Sequence, residues 1–211
     1  MKGRLTSHPF WGAHSPLSAL SGAGLIIMAS GRFAFALVCA GALLWVFGFT
    51  ALIYSCAHPI MPSKGKKIIL LFLSSFISGI FMVLISLLNP LLIFGTVFFL
   101  VLIPPWCLAS GFFEAVESLD PIEVFSRALL EAFALAGIIL ALALIREPLG
   151  MGTISLPGGV NGMVELFSST GEETFVAVRI FSVSAGGLLL LGYVTALYRY
   201  FKERNGRVEE G

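Results

Sequence analysis

One cysteine of this chain occupies a position where a thiol could do chemistry. Cys107 follows Pro104-Pro105 at the end of an apolar run. Because proline lacks a backbone N–H and clashes with the preceding turn, a helix that reaches Pro104 must stop or bend there. In hydrocarbon such a break is tolerated only where protein or a cavity shelters the freed backbone groups. Cys107 is therefore a candidate metal or electron-transfer ligand; the alternative is a small apolar residue at a kink.

The sequence does not predict that the other cysteines or the histidines form a larger site together with Cys107. Cys39 and Cys56 lie within or at the end of apolar stretches, where cysteine usually acts as a small buried residue. The chain has three cysteines and no CxxC spacing, which argues against a disulfide framework and against a four-thiolate metal site within the chain. The histidines have no paired spacing and are expected at the membrane interface: His8, His14 and His58.

The sequence gives no support for a catalytic site of the kind found in soluble enzymes. Ser15 and Ser110 have no histidine or aspartate partner that the sequence can nominate, and no glycine motif suited to phosphate binding is present. The absence of a long basic run argues against nucleic acid as a partner.

Composition defines the class of protein. Of the 211 residues, 57% are hydrophobic and only 12% are charged, and the mean hydropathy is +0.96. This balance is typical of an integral membrane protein of the all-α class. The chain is treated as one membrane domain, residues 1–211, and has room for about six spans of roughly 20 residues each.

Six apolar segments can be separated by their turn signals. The expected spans are Leu17–Met28, Phe33–Ser55, Ile68–Leu88, Leu91–Ile103, Arg127–Ile145 and Phe175–Tyr200. The fourth is too short to cross alone and must either continue past the prolines as a second half-helix or re-enter. The first is short and interrupted, and a retained membrane segment is favoured there over a signal peptide. Pro148 is expected to stop the fifth span, with Arg146-Glu147 as an interfacial cap or, alternatively, as part of a partner contact or an ion path. A polar, glycine-rich loop is expected from there to about Glu173.

Acidic residues gather after the fourth span. Glu114, Glu117, Asp120 and Glu123 are expected in a solvated or headgroup-level loop, with Glu114 the one that reaches the protein interior. Glu131 lies near the start of the fifth span, at a depth that the sequence leaves open.

Basic residues predict the orientation of the chain. With six spans, ten basic residues fall on the side of the two termini and three on the other side. By the positive-inside rule, both termini, including the tail at 201–211, are then cytoplasmic. The ten are Lys2, Arg4, Lys64, Lys66, Lys67, Arg127, Arg199, Lys202, Arg204 and Arg207; the three are Arg32, Arg146 and Arg179.

The two interrupted segments, the first and the fourth, occupy matching places if the chain consists of two repeats of three spans. The repeats would cover about 9–88 and 91–200. Because each has an odd number of spans, the two would be inverted, and paired broken helices indicate a site between the repeats. The sequence thus predicts six transmembrane helices as a 3+3 inverted repeat with broken first and fourth helices.

Two motifs give the chain a resemblance to a known family. The stretch from Trp106 to Ala115, WCLASGFFEA, and that from Ile145 to Thr153, IREPLGMGT, resemble the six-span membrane subunits of the Rnf/Nqr family of ion-translocating electron-transport complexes. The resemblance implies a subunit of the bacterial inner membrane that helps to pass electrons across it, coupled to Na⁺ or H⁺ movement.

The resemblance also implies a cofactor and partners. Two homologous six-span subunits pack in opposite orientations, and each contributes one cysteine from each broken helix to a shared [2Fe-2S] cluster; other subunits carry flavin or iron–sulfur centres. Cys107 matches the cysteine of the fourth segment. Ser15 occupies the position of the first-segment cysteine, which is a departure, because serine is a harder and far less acidic ligand than cysteine. Alternatives are therefore a small-molecule or ion permease on the same fold and a cofactor-free assembly subunit.

Overall fold

The computed structural model describes residues 20–57, 65–110, 121–159, 162–168 and 179–208. Within them the elements are, in chain order, α1 (Leu20–Ala29), α2 (Phe33–Ala57), α3 (Lys66–Leu88), α4 (Pro90–Ala109), α5 (Pro121–Met151), β1 (Thr153–Pro157), β2 (Met163–Ser168), a 3₁₀ turn (Arg179–Phe181) and α6 (Ser184–Val208).

Four helices, α2 to α5, are long and apolar enough to cross a membrane, as expected of a membrane-embedded protein. The described part of α1 is only ten residues long, about 15 Å, and does not cross a bilayer by itself. In α6 the apolar part covers Ser184–Val194 alone. Six crossings and the inverted repeat therefore stay predictions.

The start of α4 is fixed by the residue pair that predicted a turn. Asn89 accepts hydrogen bonds through its side-chain oxygen from the backbone N–H groups of Leu91 and Leu92, at 3.2 and 3.3 Å. Pro90 occupies the first helical position, where its missing N–H has no consequence. The helix then continues through Pro104 and Pro105 to Ala109. The predicted break of the fourth span at these prolines is therefore wrong for Pro90–Ala109, because the backbone stays helical across both of them.

The helices have two distinguishable ends, set by long-range contacts. At one, Glu147 near the end of α5 contacts Phe33 at the start of α2, and Asn89 donates to Gly159 next to β1. We call this the hairpin end. At the other, the ammonium of Lys66 lies 5.0 Å from the ring centre of Tyr54. We call this the distal end; it contains the ends of α2 and α4 and the starts of α3 and α5.

Close packing of α2 against α5 forms the centre of the core. Small side chains let the two backbones approach, as is usual between membrane helices. Fully buried alanines on the two helices are Ala34, Ala36, Ala42, Ala51, Ala128, Ala132 and Ala143. Gly48 continues this surface, since a Cβ there would lie 3.5 Å from the side chain of Leu129. Large apolar side chains such as Phe72, Phe76 and Phe94 are instead exposed on α3 and α4, where a bilayer would cover them.

Two sequence expectations are wrong near the hairpin end. Pro148 does not end the fifth span, because α5 continues to Met151. The expected loop contains an antiparallel hairpin, with Leu156 opposite Val164. Its glycine-rich turn includes Gly159 and Gly162, whose φ angles of 73° and 84° suit glycine. The alternation of polar and apolar residues in β1, Thr153–Pro157, was the signal for this hairpin, whereas β2 has no such alternation.

Gly150 provides a test of this packing. A Cβ at Gly150 would lie 2.7 Å from the backbone nitrogen of Ser182, so Gly150→Ala should displace the chain before α6 and destabilise the protein by roughly 1–3 kcal/mol. Gly137→Ala is the matched control on the same helix, because nothing lies within 4 Å of its added methyl group. Thermal unfolding in detergent measures both, and equal melting temperatures would contradict the packing.

Candidate functional site

Cys107 lies in the last turn of α4 and is completely buried. The backbone around it is held by Ser110, whose hydroxyl donates to the Cys107 carbonyl at 2.9 Å. The Ser110 N–H donates to the Trp106 carbonyl at 2.9 Å. These bonds satisfy carbonyls that the end of a helix leaves without partners, and they fix the position of the thiol.

A serine from another helix compensates for one of the prolines. Without an N–H, Pro104 cannot bond to the Leu100 carbonyl four residues earlier. The Ser78 hydroxyl of α3 donates to this carbonyl at 3.0 Å, and Ser78 itself is buried. The α3–α4 pair thereby supplies the partner that Pro104 removed, which explains how an apolar helix continues across this residue.

Trp106, the residue before Cys107, packs its ring at 5.4 Å between centroids against Phe47 of α2. The carboxyl group of Glu131 belongs to α5. One Glu131 oxygen, Oε1, is buried without a hydrogen-bond partner among the described residues. The sequence left the depth of Glu131 open, and the structure places this oxygen inside the protein.

The predicted ligand set is only partly within the described chain. Ser15 and Glu114 lie outside the described residues. Among the residues that the structure describes, no three His, Cys, Asp or Glu side chains converge as a metal site. A [2Fe-2S] cluster is usually held by four thiolates. Cys107 is the single candidate that the sequence nominates in this part of the chain, so the described residues do not fit a cluster by themselves.

The second motif, Ile145 to Thr153, builds a different structure. The guanidinium of Arg146 donates to the carbonyls of Ile27 at 2.6 Å, Phe181 at 2.8 Å and Ser182 at 3.2 Å. It also donates to the Ser30 hydroxyl at 3.2 Å. Arg146 is only 4% exposed. This buried cation thus joins the C-terminal end of α1, whose carbonyls favour positive charge, to the segment before α6.

The carboxylate of the next residue, Glu147, accepts a hydrogen bond at the start of α2. Glu147 accepts a 2.6 Å hydrogen bond from the backbone N–H of Phe33, and the Ser155 hydroxyl of β1 accepts from the N–H of Ala34 at 3.3 Å. Both bonds satisfy donors at the N-terminus of α2, where negative charge is stabilising. Arg146 and Glu147 together form what we call the corner clamp, because they hold the turn between α1 and α2.

Sequence reasoning found the motif of the clamp but placed its role on the wrong helix. Arg146 was expected to cap the end of its own helix; it contacts α1 and the segment before α6 instead. The roles of Ser78 and Ser155 were missed altogether. Single serines in apolar or polar runs carry no long-range signal, although the prolines of α4 predicted that a donor of this kind was needed.

No family model matches the chain, and a search of curated proteins finds no significant match.

Mutation can test whether the hydrogen bond from the Ser78 hydroxyl to the Leu100 carbonyl compensates for the missing N–H of Pro104. Ser78→Ala should destabilise the protein by about 1–3 kcal/mol, because it leaves the buried Leu100 carbonyl without a donor. In a Pro104→Ala background, the restored N–H should supply that donor, so the same substitution should have a smaller effect. Ser74→Ala is the control, since the buried Ser74 hydroxyl donates to Leu71 on its own helix. Additive effects of Ser78→Ala and Pro104→Ala on thermal unfolding would contradict the compensation.

The corner clamp predicts a graded loss of stability. Arg146→Met should destabilise the chain by at least about 3 kcal/mol, since several buried acceptors lose their donor, and Arg146→Lys should lie between it and the wild type. Arg127→Met should cost less than about 1 kcal/mol, because Arg127 pairs with Glu123 on the exposed surface. Thermal unfolding of the three variants measures the order, and a similar loss for Arg127→Met would argue against a special role of Arg146.

Proposed function

We propose that the chain is a membrane subunit of an Rnf/Nqr-like ion-translocating oxidoreductase. The observation that carries the proposal is the placement of the two motifs of the resemblance. Trp106 and Cys107 lie in the buried core at the distal end, and Arg146-Glu147 lies at the corner that positions α1. The first motif therefore lies in the fourth segment and the second contacts the first segment, and these are the two segments that the resemblance assigns to the site.

The proposed role of Cys107 is that of one ligand in a shared site. A [2Fe-2S] cluster there would supply one-electron transfer, and the remaining ligands would come from a homologous subunit in opposite orientation. The chain's own contribution is to hold the thiol in a water-poor environment, with the Cys107 carbonyl fixed by Ser110. Flavin and further iron–sulfur centres would belong to other subunits.

A permease of ions or small molecules is the second candidate. Two observations favour it: the replacement of the first-segment cysteine by Ser15, and the buried Glu131 oxygen that has no partner among the described residues. Such a protein would transport its substrate alone in liposomes, without iron or redox partners. Under either proposal the chain lies in the cytoplasmic membrane with both termini inside.

The redox proposal is tested by anaerobic purification of the chain with its partner subunit. Iron analysis and electron paramagnetic resonance of the dithionite-reduced complex should show a [2Fe-2S] signal, and Cys107→Ala should abolish it. Cys39→Ala is the matched control, because Cys39 is equally buried, on α2, and its loss should leave the signal unchanged. A complex without iron, or one whose signal survives Cys107→Ala, would remove the electron-transfer role from this chain.

A further inference from the structure

One oxygen of the corner clamp is buried without a hydrogen-bond partner among the residues that the structure describes. Glu147 accepts the Phe33 N–H through Oε2 at 2.6 Å, whereas its Oε1 accepts no hydrogen bond from the described chain. Glu147 is only 1% exposed. Because burial of a carboxylate oxygen without a donor is costly, the hairpin end contains a strong acceptor that this arrangement leaves unused.

Arg32, the residue before Phe33, donates to a poor acceptor. Its Nη1 lies 3.7 Å from the sulfur of Met163 on β2, and a thioether accepts hydrogen bonds only weakly. Because Arg32 is covalently bonded to Phe33, its Cα lies within about 5 Å of Glu147 Oε2. An arginine side chain can span that separation, and a guanidinium binds a carboxylate more strongly than a thioether. The cation is thus next to the carboxylate but is bonded to the hairpin.

The strands β1 (Thr153–Pro157) and β2 (Met163–Ser168) cover this corner, and we call them the β-strap. Met163 pairs with Pro157, and Ser155 is two residues before Pro157, so the Ser155 and Met163 side chains project from the same face. Ser155 is completely buried, and its hydroxyl accepts the Ala34 N–H of α2 at 3.3 Å. This face of the β-strap therefore lies against the start of α2, beside Glu147.

The hydrogen bonds between the β-strap and the helices are long. Besides the contacts of Ser155 and Met163, the Asn89 side chain donates to the carbonyl of Gly159, between the two strands, at 3.4 Å in an exposed position. All three exceed the usual N–H···O separation of about 2.9 Å. One residue, Gly152, separates α5 from β1, so the strands can turn about a single joint.

We propose that the β-strap is a conformational latch with two positions. In the closed position, which this structure shows, Arg32 binds Met163 and the β-strap covers Glu147. In the open position the β-strap turns away from α2, and the Arg32 guanidinium rotates onto Glu147 Oε1. Opening breaks the three long hydrogen bonds and forms a charge-assisted ion pair, so the cost of one change is offset by the other.

The latch goes beyond the redox proposal and does not depend on it. It belongs to the hairpin end, whereas Cys107 and the contact of Trp106 with Phe47 belong to the distal end. Opening uncovers the turn between α1 and α2 on one side of the membrane only. It therefore changes access to the corner clamp and leaves the surroundings of the thiol as they are.

Hydrogen–deuterium exchange of the Ala34 amide in the purified full-length chain measures opening, because this buried amide bonds to Ser155 of the β-strap. The Ala36 amide, which bonds to the Arg32 carbonyl at 3.0 Å, is the internal reference. Arg32→Met should slow exchange at Ala34 about five- to tenfold, since the open position loses an ion pair and the closed one only a thioether contact. An arginine that merely held the β-strap down would give the opposite sign, so equal or faster exchange in Arg32→Met overturns the latch.

Two glutamine variants identify the carboxylate. Glu147→Gln keeps an acceptor for the Phe33 N–H and removes the charge, so it should slow exchange at Ala34 as much as Arg32→Met does, and the double variant should be no slower than either. Glu165→Gln is the matched control, because Glu165 is exposed on the same face of the β-strap as Met163; it should exchange as the wild type does. Equal slowing by the two glutamine variants, or additive slowing in the double variant, would contradict the pairing.

A further variant keeps the latch testable if Glu147→Gln fails to fold. Met163→Leu removes the thioether acceptor from the closed position alone and keeps the bulk of the side chain. It should therefore speed exchange at Ala34, opposite in sign to Arg32→Met. Exchange that is unchanged or slower in a folded Met163→Leu chain would show that Arg32 does not choose between the two partners, and the latch would be abandoned.

Discussion

The hydrogen bonds of Arg146 and Glu147 are the constraint on which the arrangement of the helices depends. A charge buried in an apolar protein is tolerated only when its hydrogen-bonding groups are occupied. Here the partners of the Arg146 guanidinium and of Glu147 Oε2 include the ends of two helices, the carbonyl of Ile27 on α1 and the N–H of Phe33 on α2, whereas Glu147 Oε1 is buried without a partner among the described residues. Each charge meets the end of a helix dipole that favours it. The pair therefore satisfies groups that no intrahelical bond can reach, and it fixes the angle at which α1 meets α2.

The same requirement for partners shapes the α4 helix. Its two prolines remove donors in the middle of an apolar segment, where water cannot replace them. Ser78 supplies a donor for one of the freed carbonyls, and Ser110 holds the end of the helix. Cys107 lies in the sequence between Leu100, which accepts from Ser78, and Ser110. The carbonyls of Leu100 and Cys107 consequently have side-chain donors, whereas Nε1 of Trp106 has no partner among the described residues.

How much the sequence predicts depends on the range of the interaction involved. Hydropathy and turn residues located α2 and α3 to within two residues, and Asn89-Pro90 marked the start of α4, because these signals are local. The continuation of α5 past Pro148 could not be foreseen, since contacts with α1, α2 and the segment before α6 stabilise that end. The hairpin was missed because a glycine-rich loop and a short two-stranded sheet share the same composition. Of the candidate site, the burial of Cys107 follows from hydropathy, whereas the contact of the neighbouring Trp106 with Phe47 depends on the packing of α4 with α2.

The corner clamp affects the order in which parts of the chain reach their final structure. The carbonyl of Ile27 and the N–H of Phe33, to which Arg146 and Glu147 bond, leave the ribosome more than 100 positions before this pair. Until α5 has been synthesised, the N–H of Phe33 lacks its Glu147 acceptor, and the carbonyl of Ile27 has the Ser30 hydroxyl as its donor but not Arg146. The turn between α1 and α2 is therefore one of the last parts of the protein to settle, although it is among the first to be translated. A chain arrested after α4 would expose that turn to quality-control proteases, which makes completion of the C-terminal half a checkpoint for the N-terminal half.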